Sequence, residues 1–266
     1  MTDPVPRNDL RFTPEMLARP RTGGIDAVSG LEHFAIVTYA IDPERLRTHV
    51  DAHFDLDCIE VDGRRKALVS AVPFIDRDFR FARMPIPRFR FGQTNYRAYV
   101  IDRASGERLV WFFGTTLDSW TVALPHYAWK LPWHRARMRF DCLYDVANAR
   151  YSRYVLDARS DWAPMHLELE DSGEPVAELT GFGDLESAQV TLTHPLRGAF
   201  FRRDGKLGGY NVWHDRLRPT RGKVLSADIR LFERLSLVSR EEQQNPHSVM
   251  MQRLTEFTIY LPPKRL

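Results

Sequence analysis

Apolar and polar residues alternate along much of the chain, and the alternating stretches are short and separated by turn residues. Residues 58–61 and 66–74, for example, flank Asp62-Gly63, a strong hairpin turn. The other predicted strands are residues 33–40, 94–102, 108–116, 135–144, 149–157, 165–169, 176–179, 200–203, 210–214, 224–233 and 250–261. Turn signals at intervals of roughly 8–12 residues predict about a dozen strands, arranged as a sandwich or a barrel.

Helices are predicted at a few places only. Thr13-Pro14 and Asp42-Pro43 each put a capping residue before proline at the first helical position, and residues 118–130 form a third helical stretch. No internal repeat or low-complexity linker interrupts the chain. We therefore divide it into an N-terminal arm, residues 1–30, and a single β domain, residues 31–266.

The composition is that of an ordinary globular protein, with 43% hydrophobic and 27% charged residues. The 38 basic and 35 acidic residues nearly cancel, so neither nucleic acid nor a membrane surface is expected as the main partner. No apolar run approaches the length of a membrane span, and Met1–Gly24 is unlike a secretory signal. Cys58 and Cys142 are isolated thiols. We expect a cytoplasmic protein with reduced cysteines.

Familiar catalytic and metal-binding motifs are missing. The chain has no CxxC pair, no GxSxG elbow and no Walker or dinucleotide-binding loop. His49 and His53 have the i, i+4 spacing of a zinc site, but the glutamate of HExxH is absent and His53 lies past the predicted helix end. The sequence therefore indicates no metal and no cofactor.

One segment interleaves arginine with phenylalanine. Arg77–Phe91 contains five arginines and four phenylalanines, a mixture that can bind single-stranded nucleic acid by charge and stacking. Pro85 and Pro87 interrupt it, however, and the surrounding charge is balanced. We interpret it as a long loop that folds over a barrel mouth or packs against another subunit, which leaves a homo-oligomer open.

The predicted strand from Thr94 to Val100 carries the most informative polar face. Alternation places Asn95, Arg97 and Tyr99 on one side and apolar residues on the other. Inside a barrel, an amide, a guanidinium and a phenol suit a small anion such as a carboxylate. The alternative is an ordinary solvent-facing side of an antiparallel sheet.

Four short motifs occur in an order that resembles a known family. They are Val72-Pro73-Phe74, Asn95–Val100 (NYRAYV), Leu131–Met138 (LPWHRARM) and Trp213-His214. Together they resemble the DUF2071 (YqjF-like) family over roughly residues 31–262. The resemblance implies a mainly β fold of the acetoacetate-decarboxylase type, a closed, cone-like antiparallel barrel with a central cavity and a few short helices. Relatives of that fold often form homo-oligomers.

Acetoacetate decarboxylase forms a Schiff base through one lysine, whose pKa a neighbouring lysine lowers. The resemblance places Trp133 and His134 where that lysine pair stands, and Arg97 where the enzyme has a glutamate. The nearest lysine, Lys130, ends the predicted helix, where a cation has a structural role. We therefore expect no decarboxylation by the lysine route.

The predicted site is a cavity for a small anionic organic molecule. Arg97 would bind its carboxylate or enolate, and His134 would act as acid or base, so both are expected to face one cavity. The other predicted ligand-binding residues are Asn95, Tyr99, Trp133, Trp111 and His214. If the protein is an enzyme, fold analogy favours a lyase or isomerase acting next to a carbonyl. The alternative is a non-enzymatic ligand sensor, or a structural protein whose barrel is filled by side chains.

Overall fold

The computed structural model describes residues 9–120, 127 and 129–265. Within this part of the chain, fourteen strands belong to one continuous sheet. They are β1 (Ala27–Ile41), β2 (Phe54–Leu56), β3 (Cys58–Val61), β4 (Arg64–Phe81), β5 (Met84–Asp102), β6 (Arg108–Leu117), β7 (Trp133–Arg135), β8 (Arg137–Asp145), β9 (Arg150–Arg159), β10 (Met165–Pro175), β11 (Arg197–Phe201), β12 (Leu207–His214), β13 (Thr220–Ile229) and β14 (Ser248–Arg265).

The described helices are short. They are α1 (Pro14–Leu17), α2 (Pro43–Arg47), α3 (Leu185–Thr193) and α4 (Arg230–Arg234), with one turn of 3-10 helix at Glu242–Gln244. None of them is both long enough and apolar enough to cross a membrane. The prediction of a mainly β protein with a few short helices is confirmed.

The sheet closes on itself. Strands β1, β4, β5, β6, β11, β12 and β14 follow one another as neighbours, and antiparallel pairing between β14 and β1 completes the ring. Only β11 and the short β7 run parallel to their neighbour β6 among the described strand pairs. From β14 the sheet also continues through β13, β10, β9 and β8, which form a second layer. Closure leaves the ring without an open hydrogen-bonding edge.

Strand alternation sorts the side chains into two hydrophobic cores. On β5, Tyr99 packs inside the ring with Phe74 and Phe112, whereas Ala98 packs outside it against the second layer. The outer core also contains Trp111, which lies next to Ala98 across the β5–β6 pairing. The face on which a residue lies therefore decides whether it can reach the interior of the ring.

Helix α3 packs against the interior core. Asp184 caps its N-terminus by accepting from the backbone N–H of Ser187, and a reciprocal bond completes a capping box. Every residue from Ser187 to Thr193 is buried, and Leu192 joins the core inside the ring. Pro195 follows directly after the helix. Because its polar residues are buried together with its apolar ones, the hydrophobic periodicity of α3 is weak.

The interpretation of Arg77–Phe91 as a long loop is wrong. Strands β4 and β5 continue through it as one hairpin, with Phe79 paired to Phe89 and Phe81 paired to Met84. The register shifts twice in this part of the hairpin, and Pro85 and Pro87 fall within the shifted region, where a missing ladder bond is tolerated.

Other predicted elements also differ. The Ser172-Gly173 turn signal starts no hairpin, because β10 runs on to Pro175 beside β13, and residues 176–179 form no strand. The strand predicted to end at residue 233 ends at Ile229, where α4 follows. The helix predicted over 118–130 falls largely outside the described residues. The division into arm and domain stays a prediction, and β1 begins at Ala27, inside the predicted arm.

The chain that leads into α3 passes close to β3 at Gly181, which has a positive φ of 83°. A Cβ there would lie 2.7 Å from the backbone oxygen of Glu60, so Gly181→Ala adds a clash to the cost of a left-handed residue. Gly63 has a similar φ of 69° with nothing within 4 Å, which makes Gly63→Ala the matched control. We expect about 1–2 kcal/mol of destabilisation for Gly63→Ala and about 1–3 kcal/mol more for Gly181→Ala, measured by urea unfolding. Equal losses would contradict the close approach.

Candidate functional site

A cavity lies inside the ring of strands. The centres of water molecules can occupy about 50 Å³ of it, so the cavity has room for several waters. Its wall is mostly apolar and rich in rings, among them Phe34, Phe74, Phe112, Trp133 and Tyr210. The interior is therefore neither an open channel nor completely filled by side chains.

A row of polar side chains on β5 crosses this apolar wall. Gln93, Asn95 and Arg97 alternate with outward-facing residues, and all three line the cavity. The Oδ1 atom of Asn95 accepts from Gln93 Nε2 and from Thr115 Oγ1, both at 2.9 Å. These bonds hold the amide of Asn95 in place between the two ends of the row.

Arg97 is the positive charge of the cavity. Its Nη2 atom donates to the backbone oxygen of Leu192, in the last turn of α3, at 2.8 Å, and more weakly to the Tyr99 hydroxyl at 3.4 Å. The Nε atom is buried without a hydrogen-bond partner. In the described part of the chain, no acidic side chain lies within ion-pair distance of the guanidinium. A charge so placed lacks the counter-ion that burial ordinarily requires.

The Tyr99 side chain contacts Arg97 and is held in place by hydrogen bonds of its own. Its hydroxyl lies 2.9 Å from Ser70 Oγ, which lies 2.9 Å from Thr38 Oγ1, and these side chains come from three neighbouring strands. The guanidinium carbon of Arg97 lies 5.5 Å from the centre of the Tyr99 ring. Tyr99 is only 1% exposed and does not line the cavity, so a bound molecule would meet Arg97 instead.

His214, at the end of β12, also lines the cavity. Its ring nitrogens lie 2.8 Å from the backbone oxygen of Asp215 and 2.7 Å from that of Thr193. Burial lowers the pKa of His214, and the charge of Arg97 adds to this effect, while the two carbonyl oxygens oppose it. The neighbouring His194 lies behind it, and burial together with the charges of His214 and Arg216 lowers its pKa to about 3.

The expectation that Arg97 and His134 face one cavity is wrong. Strand β7 pairs with β6, and successive residues of a strand point to opposite sides. Trp133 therefore lines the cavity, while the His134 ring stacks on Trp162 outside it, with centroids 3.9 Å apart and planes 7° apart.

Trp111 also lies outside the predicted cavity. It is 1% exposed and packs in the outer core, with Phe54 at 5.6 Å and Phe201 at 4.9 Å between ring centres. The cause is again alternation, since its neighbours Val110 and Phe112 are the residues of β6 that face the cavity. Of the predicted set, the structure brings together Arg97, Asn95, Trp133 and His214 and leaves out His134, Trp111 and Tyr99; their functional roles stay predictions.

None of the five lysines lies on the cavity wall. Lys66 pairs with Asp42, Lys130 with Asp204 and Lys223 with Glu170, all on the outside of the ring. Lys206 and Lys264 are exposed. The described residues also contain no group of three His, Cys, Asp or Glu side chains that could hold a metal ion.

The sequence alone did not identify several of the residues that line the cavity. Gln93 shares the alternating face of Asn95 and could have been found by extending the predicted strand by one residue. Tyr210 shares the alternating face of His214 on β12 and could have been found in the same way, whereas Thr193 could not, because its approach depends on α3. The signals for α3 itself were Asp184 as N-cap, Ser187 three residues later and Pro195 after the end.

Residues 29–255 match the family model DUF2071, described as an uncharacterized conserved protein. The chain belongs to the DUF2071 family. The resemblance seen in the four motifs is thereby confirmed. A search of curated proteins found no match.

Solved structures share the fold at low identity. Acetoacetate decarboxylase from Legionella pneumophila superposes with a TM-score of 0.57 and 13% identity, over 93% of this DUF2071 chain and 91% of that one. The acetoacetate decarboxylase-like enzyme from Sphingomonas wittichii RW1 gives 0.55 and 11%, over 92% and 94%. The enduracididine biosynthesis enzyme MppR in complex with pyruvate gives 0.53 and 11%, over 93% and 92%. The predicted acetoacetate-decarboxylase type of fold is confirmed.

The unpaired state of Arg97 predicts its effect on stability. Arg97→Met removes the hydrogen bonds to the Leu192 carbonyl and, more weakly, to the Tyr99 hydroxyl, but it also removes an uncompensated charge, and these effects oppose each other. We expect the free energy of unfolding in urea to change by less than about 1 kcal/mol. The matched control is Arg108→Met, since Arg108 pairs with the buried Asp57 at 3.3 Å and its loss should cost about 3 kcal/mol. A comparable loss at Arg97 would assign it a purely structural role.

Proposed function

We propose that this protein binds a small organic carboxylate inside its ring of strands, with Arg97 as the anion-binding group. The observation that carries the proposal is a partly buried guanidinium, without an acidic partner in the described chain, on the wall of an apolar cavity. An anion entering the cavity supplies the missing counter-charge. In a water-poor site, such a charged hydrogen bond is stronger than at the surface.

The size and lining of the cavity favour a short carboxylic acid with one further polar group. The amides of Gln93 and Asn95 lie on the same face as Arg97, four and two residues before it on β5, where they can meet a carbonyl or hydroxyl oxygen. The rest of the wall is apolar and suits a short carbon chain. MppR, which shares the fold, has been solved with pyruvate bound. Pyruvate is therefore the probe that we choose.

Chemistry through a lysine imine is not part of this proposal. Imine formation needs an unprotonated amine beside the ketone, and the five lysines lie at the outer surface. Trp133, which the motif resemblance places with His134 at the positions of the lysine pair, lines the cavity, and an indole forms no imine.

A lyase or isomerase acting next to a carbonyl is the second candidate. It is favoured by Arg97, because a fixed cation can stabilise an enolate as well as a carboxylate. Binding without turnover requires only the groups already on the wall, so we place it first. The cavity itself supports ligand binding over a filled structural barrel. The homo-oligomer and the cytoplasmic location stay predictions.

Replacing Arg97 by lysine tests the anion site. A point charge replaces a two-pronged donor, so pyruvate binding should weaken by about 1.5–3 kcal/mol, or roughly 10- to 150-fold in Kd. Isothermal titration calorimetry measures the change. Arg153→Lys, at an exposed ion pair with Asp141, is the matched control and should bind like the parent. Equal affinity in Arg97→Lys and the parent would remove Arg97 from the site.

The second test concerns the covalent route. We expect no adduct when the protein is incubated with acetoacetate and then borohydride, because none of its lysines faces the cavity. Intact-mass measurement and peptide mapping give the result, with a lysine-dependent decarboxylase as positive control. A reduced adduct on Lys130, or on any lysine that reaches the interior, would restore a decarboxylase-like mechanism.

A further inference from the structure

His214 lies between two acceptors. Its Nδ1 atom is 2.8 Å from the backbone oxygen of Asp215, and its Nε2 atom is 2.7 Å from the backbone oxygen of Thr193. A carbonyl oxygen can only accept a hydrogen bond, whereas a neutral imidazole carries a single N–H. In the neutral ring, one of the two nitrogens carries no hydrogen. Its lone pair therefore faces the lone pairs of a carbonyl oxygen at hydrogen-bond distance, and the two acceptors repel each other. Only the doubly protonated ring satisfies both contacts.

Burial of the ring is the largest effect that opposes that second proton. Arg97 on β5 lines the same cavity and adds to the opposition as a like charge. The exposed carboxylate of Asp215 favours the proton. In the ligand-free protein, these effects together lower the pKa of His214 and leave the ring neutral near pH 7.

The other groups packed around His214 cannot take over this role. His194, at the end of α3, has its ring centre 4.4 Å away, and its pKa of about 3 keeps it neutral. The guanidinium carbon of Arg216 lies 4.3 Å from the centre of the Phe12 ring, in the N-terminal segment. Burial raises the pKa of Tyr210 on β12, so this phenol also stays neutral. From β14, the uncharged ring of Phe257 faces His214.

We infer that anion binding at Arg97 is coupled to protonation of His214. A bound carboxylate neutralises the charge of Arg97, which removes the repulsion between that charge and a second N–H on the ring. The protonated ring then donates to both Thr193 and Asp215, and the cavity holds one anion for each proton taken up. The inference rests on the proposed function, and it makes the site a proton-linked carboxylate site whose affinity rises as pH falls.

Calorimetry of pyruvate binding measures the coupling. Titrations between about pH 6 and pH 8, each in two buffers of different ionisation enthalpy, give the number of protons taken up. We expect uptake approaching one proton, with Kd rising about tenfold per pH unit where uptake is complete. In His214→Asn the uptake should vanish, whereas His166→Asn, at an exposed histidine paired with Asp157, should keep it. Pyruvate binding without proton uptake in the parent overturns the coupling and leaves the proposed function intact.

Nuclear magnetic resonance of ¹⁵N-histidine-labelled protein tests the coupling without any ligand. Arg97→Met removes the same repulsion permanently, so the pKa of the His214 ring should rise relative to the parent. The His214 signals are assigned by their loss in His214→Asn. If pyruvate does not bind at all, the proposed function fails, and this measurement still decides the coupling. A raised pKa supports it, and an unchanged pKa in Arg97→Met overturns it.

Discussion

A positive charge inside a closed ring of strands is the constraint on which the site depends. The guanidinium of Arg97 is held by the backbone oxygen of Leu192, so its position requires α3 to sit against the interior of the ring. Helix α3 in turn leaves its last carbonyl groups without helical partners, and Arg97 satisfies one of them. The same contact therefore satisfies a carbonyl group at the C-terminus of the helix and orients a cation. The contact supplies no counter-ion. The lack of an acidic partner among the described residues distinguishes Arg97 from Arg108, which pairs with Asp57.

Alternation along the strands then decides which chemistry the cavity can contain. At β7 only one of two consecutive residues can face inward, and here it is Trp133. His134 is placed on the opposite side against Trp162, at the outer core. This chain shares its fold with acetoacetate decarboxylase. At 13% identity, this similarity shows the fold alone, so arguments about function must rest on the residues that line the cavity.

Local signals in the sequence were sufficient for most of the fold. Turn residues such as Asp62-Gly63 mark hairpins by their own backbone preferences, and alternation within β5 placed Asn95 and Arg97 on one face before the ring was known. Three features could not be read in this way. The hairpin across Arg77–Phe91 depends on register shifts that accommodate its prolines, and in α3 the polar residues are buried together with the apolar ones, so the helix shows no clear amphipathic pattern. The third, the side on which His134 lies, depends on how β7 pairs with β6.

The titratable groups on the cavity wall bear differently on binding an anion and on catalysing its reaction. Proton transfer to or from carbon needs a group that changes its protonation near neutral pH and is free to contact the ligand. Among the described residues on the wall, Arg97, Tyr210 and His214 are titratable. Arginine stays charged, burial keeps the phenol of Tyr210 neutral, and both nitrogens of His214 already face carbonyl oxygens. A protonated His214 would donate both of its N–H groups to backbone oxygens, so it is badly placed to reach a ligand's carbon atoms. Among the described residues of this wall, no side chain combines a pKa near neutrality with free access to a ligand.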